Sequence, residues 1–333
     1  MKKKIIDRME RCYSVSYGSI DNKKCILTAS EAIGGRLSYY PINDLNDRHD
    51  IWDDVGGTMS IIQVPEQDGM FYVGTRFYPG FNAKEADVTC VYKEGSEWKR
   101  NTVVSLPYLH RFDLFKIGNK TVFVGCTLCT SKTDREDWSN PGKIYAGVLN
   151  ADPIKPFQTR IIKEGLLKNH GYWRGIYRNN EAGYIACDDG IYVFLPEDFS
   201  LAKIFDGNIS EMAVYDLDHD GNDEIVTIEP FHGNQMKVYK LIDGTYRNVF
   251  SFPYEIEFAH ALWAGRFNEK DTIILGTRRL DKKLYMIVYE NGSFNIETLD
   301  QDNGSANVCV IEHEGQQLIV SANNAIGEVA VYY

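Results

Sequence analysis

D-T-I-I-L-G-T-R-R-L-D-K-K-L-Y-M-I-V-Y, residues 271–289, reads as an apolar strand, a polar turn and a second strand ending in an aromatic residue. The unit recurs in order along the chain. It appears as K-C-I-L-T-A-S-E-A-I-G-G-R-L-S-Y-Y (24–40), G-Y-I-A-C-D-D-G-I-Y-V-F (183–194), D-E-I-V-T-I-E-P-F-H-G-N-Q-M-K-V-Y (223–239) and Q-Q-L-I-V-S-A-N-N-A-I-G-E-V-A-V-Y-Y (316–333), with stretched copies over 70–92 and 121–149. That makes seven. Each is preceded by one more strand, such as R-F-D-L-F or H-A-L-W-A-G, and most are followed by another, such as W-K-R-N-T-V-V or Y-R-N-V-F-S-F. Almost no segment keeps helical periodicity over three turns, so the chain reads as all-β. Four antiparallel strands per repeat make a propeller blade. The expectation is a seven-bladed β-propeller forming a single domain over residues 1–333. The last unit lacks an outer strand and K-K-I-I-D-R-M at the N-terminus is a surplus one, so Lys3–Met9 is expected to complete the blade of residues 305–333.

Bulk properties exclude some functions. A formal net charge of −11 argues against nucleic-acid and anionic-membrane partners, which require a basic footprint. No apolar run approaches membrane-spanning length, and the basic N-terminus is not followed by the apolar core of a secretory signal. Seven scattered cysteines, an odd number, read as buried thiols of a cytoplasmic protein. C-T-L-C (126–129) has CxxC spacing without a second pair.

One local motif is specific. D-L-D-H-D-G-N-D-E-I-V (216–226) joins the first two strands of the fifth unit. Asp216, Asp218, Asp220, the Asn222 carbonyl and Glu224 alternate around Gly221 as an oxygen cage for a hard cation, expected to be a structural Ca²⁺. The stretch resembles the calcium-binding FG-GAP/VCBS class of propeller repeats. The sixth unit, A-G-R-F-N-E-K-D-T-I-I (264–274), has Arg266 and Lys270 where acids would stand and is expected to bind no metal.

A propeller strand crosses the disc, so first-strand starts and second-strand ends share a face, and the acidic turn lies on the other. Strand starts supply His110, His170 and His260 to the first face. Second-strand ends and the turns after them supply Arg76, Asp188, Asp189, Glu229, His232, Arg278, Arg279 and Asn323. Four of only seven histidines thus fall on one rim, while His49, His219 and His313 read as solvated. The two long insertions, 76–87 and 127–142, extend from the same face as expected lids or binding loops. H-G-Y-W-R-G (170–175) and H-A-L-W-A-G (260–265) share an H-x-x-W-x-G pattern, partly a packing signal.

Three imidazoles plus Glu229, with an open position, suit a divalent metal (Zn²⁺, Mn²⁺ or Mg²⁺), which acts as a Lewis acid on a carbonyl or hydroxyl oxygen. The expected catalytic set is His110, His170, His232, His260, Glu229 and Tyr172, with the metal on His170, His232 and His260. Substrate binding is assigned to Arg76, Asp188, Arg278 and Asn323, and Trp173 and Trp263 are candidates for stacking on a sugar. No G-x-S-x-G elbow, P-loop or dinucleotide fingerprint is present. The run from F-A-H-A-L-W-A-G (258–265) through I-L-G-T-R-R (274–279) to I-V-S-A-N-N-A-I-G-E-V-A-V-Y-Y (319–333) resembles the propeller portion of aldos-2-ulose dehydratase-type proteins. That resemblance implies a metal-dependent lyase, dehydratase or isomerase acting on a sugar or keto-sugar. The alternatives are a non-catalytic carbohydrate-binding propeller and a protein-interaction scaffold. A scaffold would show apolar loop tips, and the two insertions are polar and charged.

Overall fold

The computed structural model describes residues 1–333 and contains 28 strands in seven four-stranded antiparallel sheets. No helix is long and apolar enough to cross a membrane. The blades span residues 12–52, 60–105, 109–166, 171–206, 211–251, 257–300 and 305–332. Their first strands touch one another in sequence, and the strand Cys12–Ile20 also touches Ser305–His313, so they form a closed ring: a seven-bladed β-propeller.

Burial follows distance from that ring. Second strands such as Asn180–Cys187 and Gln316–Asn323 are buried along most of their length, whereas outer strands such as Thr245–Ser251 alternate between exposed and half-buried. Apolar clusters lie between successive sheets. Phe267, Ile274 and Leu284 of the sixth blade, for example, pack with Ile319, Ala330 and Tyr332 of the seventh. Fully burying such a side chain is worth roughly 1.5–3 kcal/mol.

The seventh blade holds three strands from the C-terminal repeat and takes its fourth from Lys3–Arg8, which pairs antiparallel with Glu328–Tyr332. Lys3 bridges Asp300 (2.7 Å) and Glu328 (3.2 Å). Asp7 accepts from Arg36 and from the Tyr40 hydroxyl (2.5 Å), tying the closing strand to the first blade. The closure read from the sequence is the one observed.

Candidate functional site: a histidine cavity at the centre of the ring

Each first strand enters its blade through the same irregularity. In four blades the ladder slips by one residue at its start, leaving Tyr13, His110, His260 and Ala306 as the extra residue. In the other three, Met59, His170 and Ser210 stand one place ahead of the first paired residue. Each donates its N–H to the carbonyl of the second-strand residue that its successor already faces. A bulge bends the strand and re-aims a side chain. Here the repeated bulge brings Tyr13, His110, His170 and His260 together, all at most 3% exposed.

The carbonyls at these positions are taken by neighbouring blades. His110 Nδ1 lies 3.2 Å from the His170 carbonyl, His170 Nδ1 3.3 Å from the Ser210 carbonyl, and His260 Nδ1 2.6 Å from the Ala306 carbonyl. A carbonyl only accepts, so Nδ1 carries the proton in all three and Nε2 is left with a free lone pair. His232 arrives from a different place, the turn after Glu224–Glu229. Its backbone is left-handed (φ 51°), and its N–H donates to Ser210 Oγ at 3.0 Å. Its Nε2 lies 3.2 Å from His170 Nε2, and the Tyr13 hydroxyl lies 3.3 Å from Nε2 of both His110 and His260. One nitrogen from each of His170, His232 and His260 lies within 4.8 Å of the others. Tetrahedral coordination at the usual Zn–N length needs about 3.4 Å between nitrogens, so the rings would have to draw together to hold an ion.

Electrostatics keep these rings neutral. Burial pushes all four histidines well below the ordinary imidazole range, and neighbouring imidazoles with the Arg111 and Arg278 guanidinium charges push further. Burial also raises the Tyr13 phenol to about 12. Beneath the rings lies Glu211, whose Oε1 is 2.7 Å from His170 Nδ1 and 3.5 Å from Arg111 Nη2. That oxygen accepts no hydrogen bond, being out of line with the His170 N–H, so it lies against the ring as an unsatisfied carboxyl oxygen. Burial raises this carboxyl to about 8, with Arg111 opposing.

The rings floor a cavity of about 600 Å³. Its walls include Phe77–Phe81 and Arg135, so both long insertions reach it. Phe81 and Phe258 lie against the His232 ring, with centroids 6.2 and 4.4 Å away. Five cationic side chains line the cavity (Arg11, Arg135, Arg278, Arg279 and Lys282), against one carboxylate, Glu31.

Of the residues assigned from sequence, the structure brings His110, His170, His232, His260 and Arg278 into this cavity. The others stand elsewhere. Glu229 accepts from Lys237 (2.7 Å), Tyr239 and Thr227 within its own blade. Tyr172 donates to the buried Asp113 (3.0 Å), and with Trp173 and Trp263 it lines a separate hollow on the far side of the rings. Arg76 pairs with Asp87, Asp188 with Lys168 (2.9 Å), and Asn323 with Ser321 and Tyr332. Each sits one or more places off the bulge position, where the pleat or a charged neighbour turns it away. The H-x-x-W-x-G pattern has a packing cause in its second half: a Cβ on Gly265 would lie 2.7 Å from the Trp263 ring. All seven cysteines are free, and burial holds the Cys126 and Cys129 thiols above their ordinary range.

Sequence reading missed Tyr13, Glu211 and Glu31. A signal for Tyr13 was present. C-Y-S-V (12–15) occupies the same place in the first blade as L-H-R-F (109–112) in the third. Glu211 carries no such signal, because its importance depends on the neighbouring blade.

The acidic turn lies at the opposite end of the strand Glu211–Tyr215. Asp216 accepts the N–H groups of Asp220 (3.1 Å) and Gly221 (3.0 Å), and Gly221 is left-handed (φ 89°), so the loop turns back as its pattern requires. Asp220 accepts from both nitrogens of Asn222, and Glu224 accepts the Leu217 N–H at 2.8 Å. Lys240, which the sequence pattern did not flag, places its ammonium against Asp218, 2.8 Å from Asp220 and 3.9 Å from Glu224. His219, read as solvated, bonds Asp271 (2.9 Å) of the next blade. In the sixth blade the corresponding turn pairs Arg266 with Glu269 and Asp271.

No protein-family model and no curated protein sequence matches the chain. Among solved structures it is similar to the crystal structure of Saccharomyces cerevisiae Sqt1, with a TM-score of 0.56 and 11% identity over 96% of this chain and 83% of that one. At that identity the likeness shows the propeller fold alone.

Proposed function

We propose that the cavity is a divalent-metal site at which a sugar or keto-sugar undergoes a lyase, dehydratase or isomerase reaction. One observation carries the reading: buried, neutral imidazoles, of which His170, His232 and His260 each bring one ring nitrogen within 4.8 Å of the others, with the Nδ1 protons of His170 and His260 committed to carbonyls and their Nε2 lone pairs free. A set of three nitrogens suits Zn²⁺ or Mn²⁺; Mg²⁺, which takes oxygen ligands, does not fit it. His170, His232 and His260 would hold the ion, which when bound supplies Lewis acidity at a carbonyl oxygen. The protein's own groups do the rest. His110 Nε2, unprotonated and beside the Tyr13 hydroxyl, forms with it a base–acid pair for moving the proton next to that carbonyl and returning it to a leaving hydroxyl. This pair replaces Glu229, which is occupied by Lys237. The insertions 76–87 and 127–142 wall the reaction off from water.

A non-catalytic, protein-binding scaffold is the second reading. The propeller fold suits it as readily, and one observation favours it directly. Ile33, Leu280 and Ile326 occupy the same turn in three consecutive blades on the cavity face, and they are 76, 57 and 44% exposed. These are apolar loop tips, which the insertions lack. For the acidic turn we propose a structural Ca²⁺ held by Asp216, Asp218, Asp220, Asn222 and Glu224, which must displace the Lys240 ammonium to enter. The FG-GAP/VCBS and dehydratase resemblances support these proposals at the level of motif.

Metal analysis of purified protein, repeated after addition of Zn²⁺ or Mn²⁺, tests the main reading. About one ion per chain is expected, lost by His170→Ala or His260→Ala while the far-ultraviolet spectrum is retained. Turnover of keto-sugars should fall with it by orders of magnitude. No stoichiometric uptake by folded wild-type protein sinks the metal site and leaves the scaffold ahead.

A further inference from the structure

The chain carries 47 acidic and 36 basic side chains, yet its central cavity is lined by five cations and a single carboxylate. That inversion is local and built. Glu31 Oε1 is shared between two guanidinium groups, Arg11 at 3.2 Å and Arg278 at 3.5 Å. Arg278 is only 14% exposed and is held in place by Asn324 Oδ1 at 2.5 Å and by the Phe258 face at 4.9 Å. Both of its protein hydrogen bonds leave from Nη2, so the Nε and Nη1 protons have no protein acceptor and remain for a ligand. Arg279 covers Phe258 at the same distance, and Lys282 forms no ion pair within 4.0 Å. Phe258 in turn packs against His232, tilted at 44° with ring centroids 4.4 Å apart, so the cations sit beside the imidazoles.

A divalent ion among neutral histidines would add two more positive charges to this surplus, with only Glu31 to offset it. A neutral sugar offers no compensation, whereas an anion does. The unfilled Nε and Nη1 donors of Arg278 each offer a single charge-assisted hydrogen bond to an anionic oxygen such as a carboxylate's. We infer that the ligand is a carboxylate-bearing sugar (a uronic acid or keto-acid sugar) whose carboxylate is received by Arg278, with Arg11, Arg279 and Lys282 supplying the field around it. The inference rests on the reading of the cavity as a small-molecule site and names its substrate class. It also gives the arginine a chemical role. Neutralising a carboxylate acidifies the adjacent C–H, so His110 and Tyr13 then move a proton that a free sugar acid holds too tightly.

Calorimetric titration of Zn²⁺-loaded protein with galacturonate, glucuronate, galactose, glucose and galactose 6-phosphate tests this. The uronates should bind about tenfold or more tightly than the neutral hexoses. Arg278→Gln should erase that preference, and the exposed pair Arg279→Gln/Lys282→Gln should weaken uronate binding and flatten its salt dependence. If Arg278→Gln does not fold, the exposed double variant decides alone. Equal binding of uronates and neutral sugars, or tighter binding of the sugar phosphate, overturns the assignment. The same titration on chelator-treated protein separates the two readings. A uronate preference without metal uptake keeps the anion site and removes the metal. Stoichiometric metal without a uronate preference does the reverse.

Discussion

The protein holds two clusters with metal-ligand chemistry, built in opposite ways. The acidic turn at 216–224 is local: nine consecutive residues fold back on Gly221, and their carboxylates accept one another's backbone N–H groups. The histidine cavity is distributed: Tyr13, His110, His170, His232 and His260 come from five blades and meet only because the ring is closed. The turn answers its own surplus charge with Lys240 from the adjacent strand, whereas the cavity deepens its surplus by placing arginines beside neutral imidazoles. A cluster that supplies its own counter-charge is suited to holding a fold together. A cluster that leaves its charge unanswered is suited to a ligand.

The largest effect that would break this contrast concerns ring closure. Deleting residues 1–9 removes the strand paired with Glu328–Tyr332 and leaves that edge open in the seventh blade. Soluble yield and metal uptake at the cavity should both collapse, because the strand carrying Tyr13 follows directly on the deleted one. A truncated protein that is soluble and takes up metal like the intact chain would show that the cavity does not depend on closure.

Acid comes next. The four imidazoles titrate well below 6.5 when folded and near 6.5 when unfolded, so below that pH the unfolded chain binds more protons and stability falls as pH drops. Glu211, at about 8, and Glu224, at about 7, act in the opposite sense: raised acids hold protons in the folded state, so their contribution declines as pH rises above the ordinary carboxylate range. Asp113 and Asp223, raised less by burial, act in the same sense as the two glutamates, so the histidines outweigh the acids by a net loss on the order of 1 kcal/mol per pH unit just below 6.5 in metal-free protein. Urea unfolding at pH 5.5, 6.5 and 7.5 measures it, and a flat profile would mean that the histidines are solvated. Saturating Zn²⁺ should steepen the loss, since protons then compete with the ion.

How much of this was legible in the sequence follows the same divide. Hairpin patterning in the seven units and the surplus strand at the N-terminus were enough for the propeller and its closure, since alternation and turn chemistry are local properties. The acidic turn was legible for the same reason, apart from Lys240, which is adjacent only across a strand pair. The convergence of histidines could be inferred from their recurrence at strand starts. The flanking assignments failed for a geometric reason: a one-residue bulge decides which side chain faces the centre. Glu229, Asp188 and Asn323 therefore satisfied the topology argument while being held by other partners, Glu229 and Asn323 within their own blades and Asp188 by Lys168 of the preceding link. Tyr13 satisfied the geometry without being a histidine. Glu211 is instructive, because it touches His170 of the preceding blade and nothing in its own neighbourhood announces that. Glu211→Gln removes the carboxyl that would ionise beside His170 once a cation binds the ring, and should weaken metal binding 10- to 100-fold with little change in fold. Unchanged affinity would reduce Glu211 to a partner for Arg111.

The smallest expected effect lies in the turn, and it tests whether Lys240 and calcium are alternatives. Lys240→Met leaves Asp218, Asp220 and Glu224 facing one another with no internal cation, so metal-free stability should drop by a few degrees. Ca²⁺ should then restore it. At a hundredfold excess over its dissociation constant a bound ion contributes about 2.7 kcal/mol. Wild-type protein, in which the ion must first expel an ammonium, should gain less from the same calcium. Asp218→Ala removes a contact of both cations, so it should lose stability and respond to neither. Thermal melts of the three proteins with and without calcium separate the possibilities. If the variant without the lysine is no more calcium-responsive than wild type, the turn is a lysine-closed structural loop whose resemblance to calcium repeats stops at the backbone. None of these substitutions should move metal uptake at the histidines, which lie at the far end of the strand Glu211–Tyr215. Movement there would mean that the two clusters are coupled through the fifth blade.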